Sequence, residues 1–265
     1  MSNSCCPPGS WPKLATTLDS DNSAAGTLGN LDGLDVYSVA PPSNSTSGVL
    51  FIYDVHGFSG ARVKSVCDAL AMNGFHVCMP DVYGDSKGVN DFGGFGSPEG
   101  AAFLTQFTVE DLAPKFDKAI AHLKSKGCTD IGAVGFCWGA WAVWELSATG
   151  KLKAGAACHP SLAVGKMLFD KEVSDIAAAV KCPQLLLPAS NDHFDLKEGG
   201  ETVQVVRDLG LECKTIEYPE MQHGWVIRGD ATQANVARDV ESAITEVSSF
   251  FAKYLKAGGE AKSDL

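Results

Sequence analysis

Basic side chains are the first shortage. The 265-residue chain has 21 Lys and Arg against 32 Asp and Glu, a formal net charge of −11, and its cations nowhere cluster. A surface for nucleic acid or an anionic membrane needs clustered Lys and Arg, so neither partner is expected. No stretch approaches the roughly 18 apolar residues of a membrane-spanning helix. The opening Met1-Ser2-Asn3-Ser4-Cys5-Cys6-Pro7-Pro8 has neither the basic start nor the apolar core of a signal peptide, and a cytoplasmic protein is expected. The nine cysteines include no C-x-x-C. Adjacent Cys5-Cys6 has no matching second pair, so no metal site is expected; palmitoylation or oxidation of that pair is open without being favoured. Cys67, Cys78, Cys158 and Cys182 lie in or beside apolar segments, where a thiol behaves as a small buried hydrophobe.

What is present fits one α/β domain. Hydrophobic residues make up 45% of the chain and charged ones 20%, enough to bury a large core without dividing. Apolar runs alternate with helical stretches, the pattern of a mostly parallel central sheet with helices on both faces. Residues 1–34 read as an irregular Ser/Asn/Gly-rich arm, 35–257 as the domain, and 258–265 as a charged tail. Within the domain, 35–40 is the expected edge strand and 49–55 the first central strand. Further strands are expected at 75–81, 131–134, 154–158, 184–188 and 214–217, and helices at 61–72, 98–126, 196–209 and 233–255. The Gly- and Phe-rich stretch 90–98 reads as a mobile loop able to cap a pocket.

The most informative stretch is Gly135-Phe136-Cys137-Trp138-Gly139, set between an apolar strand and an apolar helix. A G-x-nucleophile-x-G turn in that context presents an attacking atom at a helix N-terminus, and here the atom is sulfur. The flanking glycines suit so sharp a turn sterically, and the helix terminus favours a thiolate. The acid and the histidine of a triad should follow in that order. Asp192 stands at the end of the 184–188 run and His223 in the loop after 214–217. Asp195 is the rival acid, but it reads as a cap for the helix that follows. Of the other histidines, His56 falls where this kind of fold builds its oxyanion hole. His159 is read first as a hydrogen-bonded structural residue and second as pocket lining; His193 follows the wrong strand, and His76 and His122 lie inside a strand and a helix.

On Tyr53-Asp54-Val55-His56-Gly57-Phe58, Met79-Pro80-Asp81-Val82-Tyr83-Gly84-Asp85, the Cys137 pentapeptide, His159-Pro160-Ser161, Asp192 and His223-Gly224-Trp225 with Arg228, the chain resembles the dienelactone hydrolase family over about 34–255. The resemblance implies an α/β-hydrolase fold and a Cys137–His223–Asp192 triad, with the Val55 and Trp138 amides as oxyanion hole and Asp54 as the acid that takes the resting thiol proton. It also implies a lactone or small activated ester as substrate, with neither cofactor nor metal. His56, Tyr83, Lys87, His159, Trp225 and Arg228 are the candidate substrate-binding residues. Where bacterial members hold a substrate carboxylate with an arginine, this chain has Gly84-Asp85-Ser86-Lys87; Lys87 offers a point charge instead of a planar fork, and Arg228 is the other candidate clamp. A monomer is expected. Rival readings are a cysteine-dependent thioesterase or peptidase, and a scaffold that only binds small molecules.

Overall fold

The computed structural model describes residues 6–12, 25–94 and 96–255; Cys5, much of the arm and the tail expected at 258–265 lie outside the described residues. Eight strands among the described residues form one sheet: β1 (Thr27–Leu31), β2 (Leu34–Val39), β3 (Ser47–Ile52), β4 (His76–Pro80), β5 (Asp130–Phe136), β6 (Ala154–Cys158), β7 (Gln184–Leu187) and β8 (Cys213–Thr215). Their spatial order is β1-β2-β4-β3-β5-β6-β7-β8. β3, β6 and β7 are buried at every residue. Such unbroken apolar runs mark parallel strands covered on both faces, and all pairings from β4 across to β8 are parallel.

The sheet edge lies further out than the sequence suggests. β2 pairs antiparallel with both β1 and β4, so the edge is β1, inside the stretch expected to be irregular. β1 is exposed at four of its five positions, and a strand with no buried face shows no alternation. Its turn was legible in principle: Asp32-Gly33 joins the two strands with φ of 50° and 88°, the Asp-Gly chemistry of a two-residue hairpin.

Nine helices among the described residues cover the sheet: α1 (Val63–Met72), α2 (Pro98–Leu104), α3 (Val109–Ser125), α4 (Trp138–Ser147), α5 (Val164–Phe169), α6 (Val173–Ala179), α7 (Glu201–Asp208), α8 (Trp225–Arg228) and α9 (Ala234–Tyr254). α1, α8 and α9 pack together on one face, with α3, α4 and α6 in contact on the other. α4 is buried at every residue, Trp138, Trp141 and Trp144 included, as a helix apolar all round must be. The helix expected over 196–209 is shorter. A 3-10 turn spans Phe194–Leu196, and α7 begins only after Gly200, so Asp195 is not its cap. None of the described helices is long and apolar enough to cross a membrane.

Parallel strands point their carboxyl ends the same way, and ligands in open α/β sheets bind outside those ends. Asp54 follows β3, Cys137 follows β5, His159 follows β6, Asp192 follows β7 and His223 follows β8. The topology therefore gathers five polar residues, far apart in sequence, at one edge.

Candidate active site

Cys137 has φ 53° and ψ −114°, a conformation that costs on the order of 1–3 kcal/mol for a residue with a side chain. Its surroundings hold it there. The Cys137 N–H donates to Cys158 O at 3.2 Å, and the Cys137 carbonyl accepts from Ala140 and Ser161 N–H. The glycines on either side are sterically obligatory: a Cβ on Gly135 would lie 2.2 Å from Gly139 O, and one on Gly139 would lie 2.3 Å from Ile52 O and 2.4 Å from Tyr53 O. All three obstacles are backbone, which cannot swing aside. The sharp turn thus seats the thiol at the N-terminus of α4, pressed against the end of β3.

His223 Nδ1 lies 2.6 Å from Asp192 Oδ1, with both side chains buried. The other carboxylate oxygen of Asp192 accepts the Ala189 N–H at 2.7 Å, which fixes the carboxylate. The His223 N–H donates to Asn191 Oδ1 at 2.7 Å. Burial opposes a charged imidazole, yet the Asp192 carboxylate and the nearby Cys6 outweigh it and push the His223 pKa up to about 10. Asp195, by contrast, stands 3.1 Å from His193 Nδ1 at the surface. The difference follows from the chain path: Asp192 comes directly off β7, while Asp195 is already in the 3-10 turn.

Two residues at the thiol were not among the expected site residues. Ser161 donates its hydroxyl to Cys137 Sγ at 3.5 Å; the His-Pro-Ser motif was visible, but nothing in it signals that contact. Cys6 Sγ lies 3.7 Å from Cys137 Sγ. Cys6, Cys137 and His223 present ligand atoms all within 4.8 Å of one another, two sulfurs and an imidazole suited to a borderline cation such as Zn²⁺.

The remaining expected site residues divide sharply. His159 is fully buried with φ 38°, its ring edge-on to His223 at 5.0 Å and tilted against Phe136 at 5.8 Å. Neither ring nitrogen has a hydrogen-bond partner among the described residues, which corrects the expectation of a hydrogen-bonded structural histidine. Burial, aided by the neighbouring His223 charge, holds its pKa well below the ordinary value, so the ring is neutral.

Asp54 accepts the His56 N–H at 2.9 Å and forms a buried ion pair with Arg228 Nη1. Arg228 Nε donates to Trp11 O at 2.9 Å. Gly224, at φ 93°, makes room for this guanidinium, since a Cβ there would meet Arg228 Nη2 at 2.2 Å. Arg228, expected as an anion clamp, therefore holds a carboxylate of its own chain, and Asp54 is its counterion.

Tyr83 packs among Tyr53, Phe103, Phe107 and Trp138, and Trp225 against Tyr218. Lys87 pairs with Asp85 at the surface, 2.8 Å away. His56 Nδ1 meets Asn90 Nδ2 at 3.0 Å. A cavity of about 620 Å³ adjoins the site, lined among others by Pro7, Pro8, Pro160, Ser161, Asn191 and Asp192. None of the six expected substrate-binding residues lines it. Of the stretch 90–98, expected to cap a pocket, Asn90 meets His56 and Phe92 stacks on Phe103, and none of its described residues lines this cavity.

With that geometry in hand, the comparisons are specific. The dienelactone hydrolase family model matches residues 34–255. The chain is 30% identical over 240 residues to the hydrolase tropI of Talaromyces stipitatus, covering 87% of this chain and 91% of that one. It is 27% identical over 266 residues to an uncharacterized AIM2 family protein of Schizosaccharomyces pombe, covering 94% and 98%. Among solved structures, a dienelactone hydrolase-like promiscuous phosphotriesterase from metagenomic libraries superposes with a TM-score of 0.63 at 17% identity, over 87% of this chain and 99% of that one; at that identity the likeness concerns fold.

Proposed function

This chain belongs to the dienelactone hydrolase family and is an ester or lactone hydrolase, and on that footing we propose that it works by acyl transfer to Cys137 followed by hydrolysis of the thioester. The observation that carries this reading is the strained Cys137 turn beside His223, whose far ring nitrogen is 2.6 Å from Asp192. An oriented imidazole next to a nucleophile at a helix N-terminus is the working arrangement of nucleophilic catalysis.

In the proposed reaction the Cys137 thiolate attacks the acyl carbonyl. The oxyanion is met by the amides of Trp138 and Val55. Trp138 is the first residue of α4, so its N–H has no acceptor within the helix, and Val55 sits in the loop after β3. Each such donor contributes roughly 3 kcal/mol to the transition state. His223, fixed in one tautomer by Asp192, protonates the leaving oxygen and then takes a proton from the water that cleaves the thioester. A thiolate leaves a tetrahedral intermediate more readily than an ordinary alkoxide. Productive turnover therefore favours stabilised leaving groups, such as enol lactones and activated esters. The 620 Å³ cavity beside Ser161 is of a size for such small molecules.

A panel of p-nitrophenyl esters and enol lactones tests the reading. Turnover should rise as the leaving-group pKa falls, and Cys137→Ala should lose at least about 100-fold in kcat/KM, roughly 3 kcal/mol. Retained turnover in a correctly folded Cys137→Ala protein would overturn it.

A further inference from the structure

Residues 6–12 belong neither to the sheet nor to the proposed reaction, yet they are fastened across the site at three points. The Trp11 N–H donates to His223 O at 2.8 Å, Arg228 Nε donates to Trp11 O at 2.9 Å, and Asn191 Nδ2 donates to Pro8 O at 3.0 Å. A turn stiffens the segment, with the Ser10 N–H and hydroxyl both donating to Pro7 O. Two of these anchors touch the very elements that carry the proposed base and acid. With the strap seated, Cys137 and His223 have no exposed surface.

The strap also delivers a thiol to the thiol. Cys6 Sγ and Cys137 Sγ are 3.7 Å apart although 131 residues separate them in sequence. The other described cysteines, Cys67, Cys78, Cys128, Cys158, Cys182 and Cys213, are buried, and burial raises the pKa of each, which makes them inert structural thiols. Cys6 is the exception: partly exposed, next to a strained helix-terminal cysteine and within reach of an imidazole. Closing the sulfurs from 3.7 Å to the roughly 2.05 Å of a disulfide needs an approach of under about 2 Å. A side-chain rotation with a small shift of the strap, which is outside the sheet, supplies that.

We propose that Cys6 is the resolving thiol for Cys137: a hydroperoxide oxidises Cys137, and Cys6 then closes a reversible disulfide that locks the strap over the site. The Cys137 thiolate attacks the terminal peroxide oxygen, the O–O bond breaks, and hydroxide (or alkoxide) leaves, giving Cys137 sulfenic acid. Cys6 attacks that sulfur; the S–O bond breaks as the S–S bond forms. His223 can carry the Cys6 proton to the departing hydroxide. With hydrogen peroxide, two thiols and one peroxide become one disulfide and two waters. Esters are then shut out and the nucleophile is protected, because sulfenic acid trapped as a disulfide does not advance to irreversible sulfinic acid. A dithiol reverses the step by exchange. The inference rests on Cys137 being a reactive thiol, as in the proposed function.

The test uses the full-length, reduced chain exposed to hydrogen peroxide, quenched by alkylation and mapped without reduction by tandem mass spectrometry. A Cys6–Cys137 crosslink is expected in the wild type and in Cys5→Ser, and none in Cys6→Ser. After excess peroxide, dithiothreitol should restore at least about five-fold more of the starting activity in wild type than in Cys6→Ser, where Cys137 sulfinate accumulates. A crosslink through Cys5, or Cys137 sulfinate forming equally in both proteins, would overturn the proposal. So would an activity loss reversed by EDTA and not by dithiothreitol, which would give the Cys6–Cys137–His223 trio to a cation. Because the crosslink is read by mass, a protein that forms it but hydrolyses no ester would refute only the hydrolytic reading.

Discussion

Replacing Asp54 by Asn removes one charge from an ion pair whose two side chains are each only 1% exposed. The amide is nearly isosteric and can still accept the His56 N–H, so the main loss is the counterion of Arg228. Leaving one member of a buried pair uncompensated costs about 3–5 kcal/mol. For a domain of this size each kcal/mol lowers Tm by roughly 2–4 °C, so differential scanning calorimetry should show a fall on the order of 6–20 °C. Arg228→Met should cost a similar amount, with an added loss at the Trp11 carbonyl. The double variant should melt above the sum of the two losses, with a coupling energy of at least about 1 kcal/mol. An Asp54→Asn protein that melts within about 2 °C of wild type, or strictly additive losses in the double variant, would refute the reasoning that Asp54 is in the fold chiefly to hold Arg228.

Asp192→Asn should reduce kcat by as much as about 10⁴-fold, because an amide favours the wrong imidazole tautomer, whereas Asp195→Asn should stay within about three-fold of wild type; steady-state kinetics with one activated ester decide it, and equal losses would remove the assignment. The His223 pKa, at about 10, stands above its ordinary 6.5. A raised histidine pKa contributes stability that is complete below about pH 6.5 and lost as pH climbs towards 10. Urea unfolding of wild type against Asp192→Asn should therefore show a stability difference that shrinks between those limits, and a constant difference would count against the charged pair.

Much of the site was legible because its signals are local. The Gly-x-Cys-x-Gly turn needs only five residues and its flanks, and both glycines prove to be demanded by backbone within 2.4 Å of any added Cβ. Asp192 was separable from Asp195 by its distance from a strand end alone. What stayed hidden depends on non-local partners. β1 earns no periodic signal because its side chains face solvent, and α7 starts late because the chain is interrupted by Gly199-Gly200 before it. Asp54 and Arg228 meet across 174 residues, so neither residue advertises the other. Arg228 looks like an anion clamp until its counterion is seen. Cys6 reads only as half of an adjacent Cys5-Cys6 pair until the strap hydrogen bonds put it beside Cys137. His159 carries the reverse lesson: buried polar groups are normally satisfied, yet its ring nitrogens find no partner among the described residues.

The central claim is that the acyl group passes through the sulfur of Cys137. Rapid acid quenching of the enzyme during turnover of a p-nitrophenyl ester, followed by peptide mass mapping, reads this directly. The account predicts an acyl thioester on Cys137, released by neutral hydroxylamine and building up further in Asp192→Asn as deacylation slows. Turnover with the acyl group on any other side chain, or with Cys137 unmodified throughout, would contradict it.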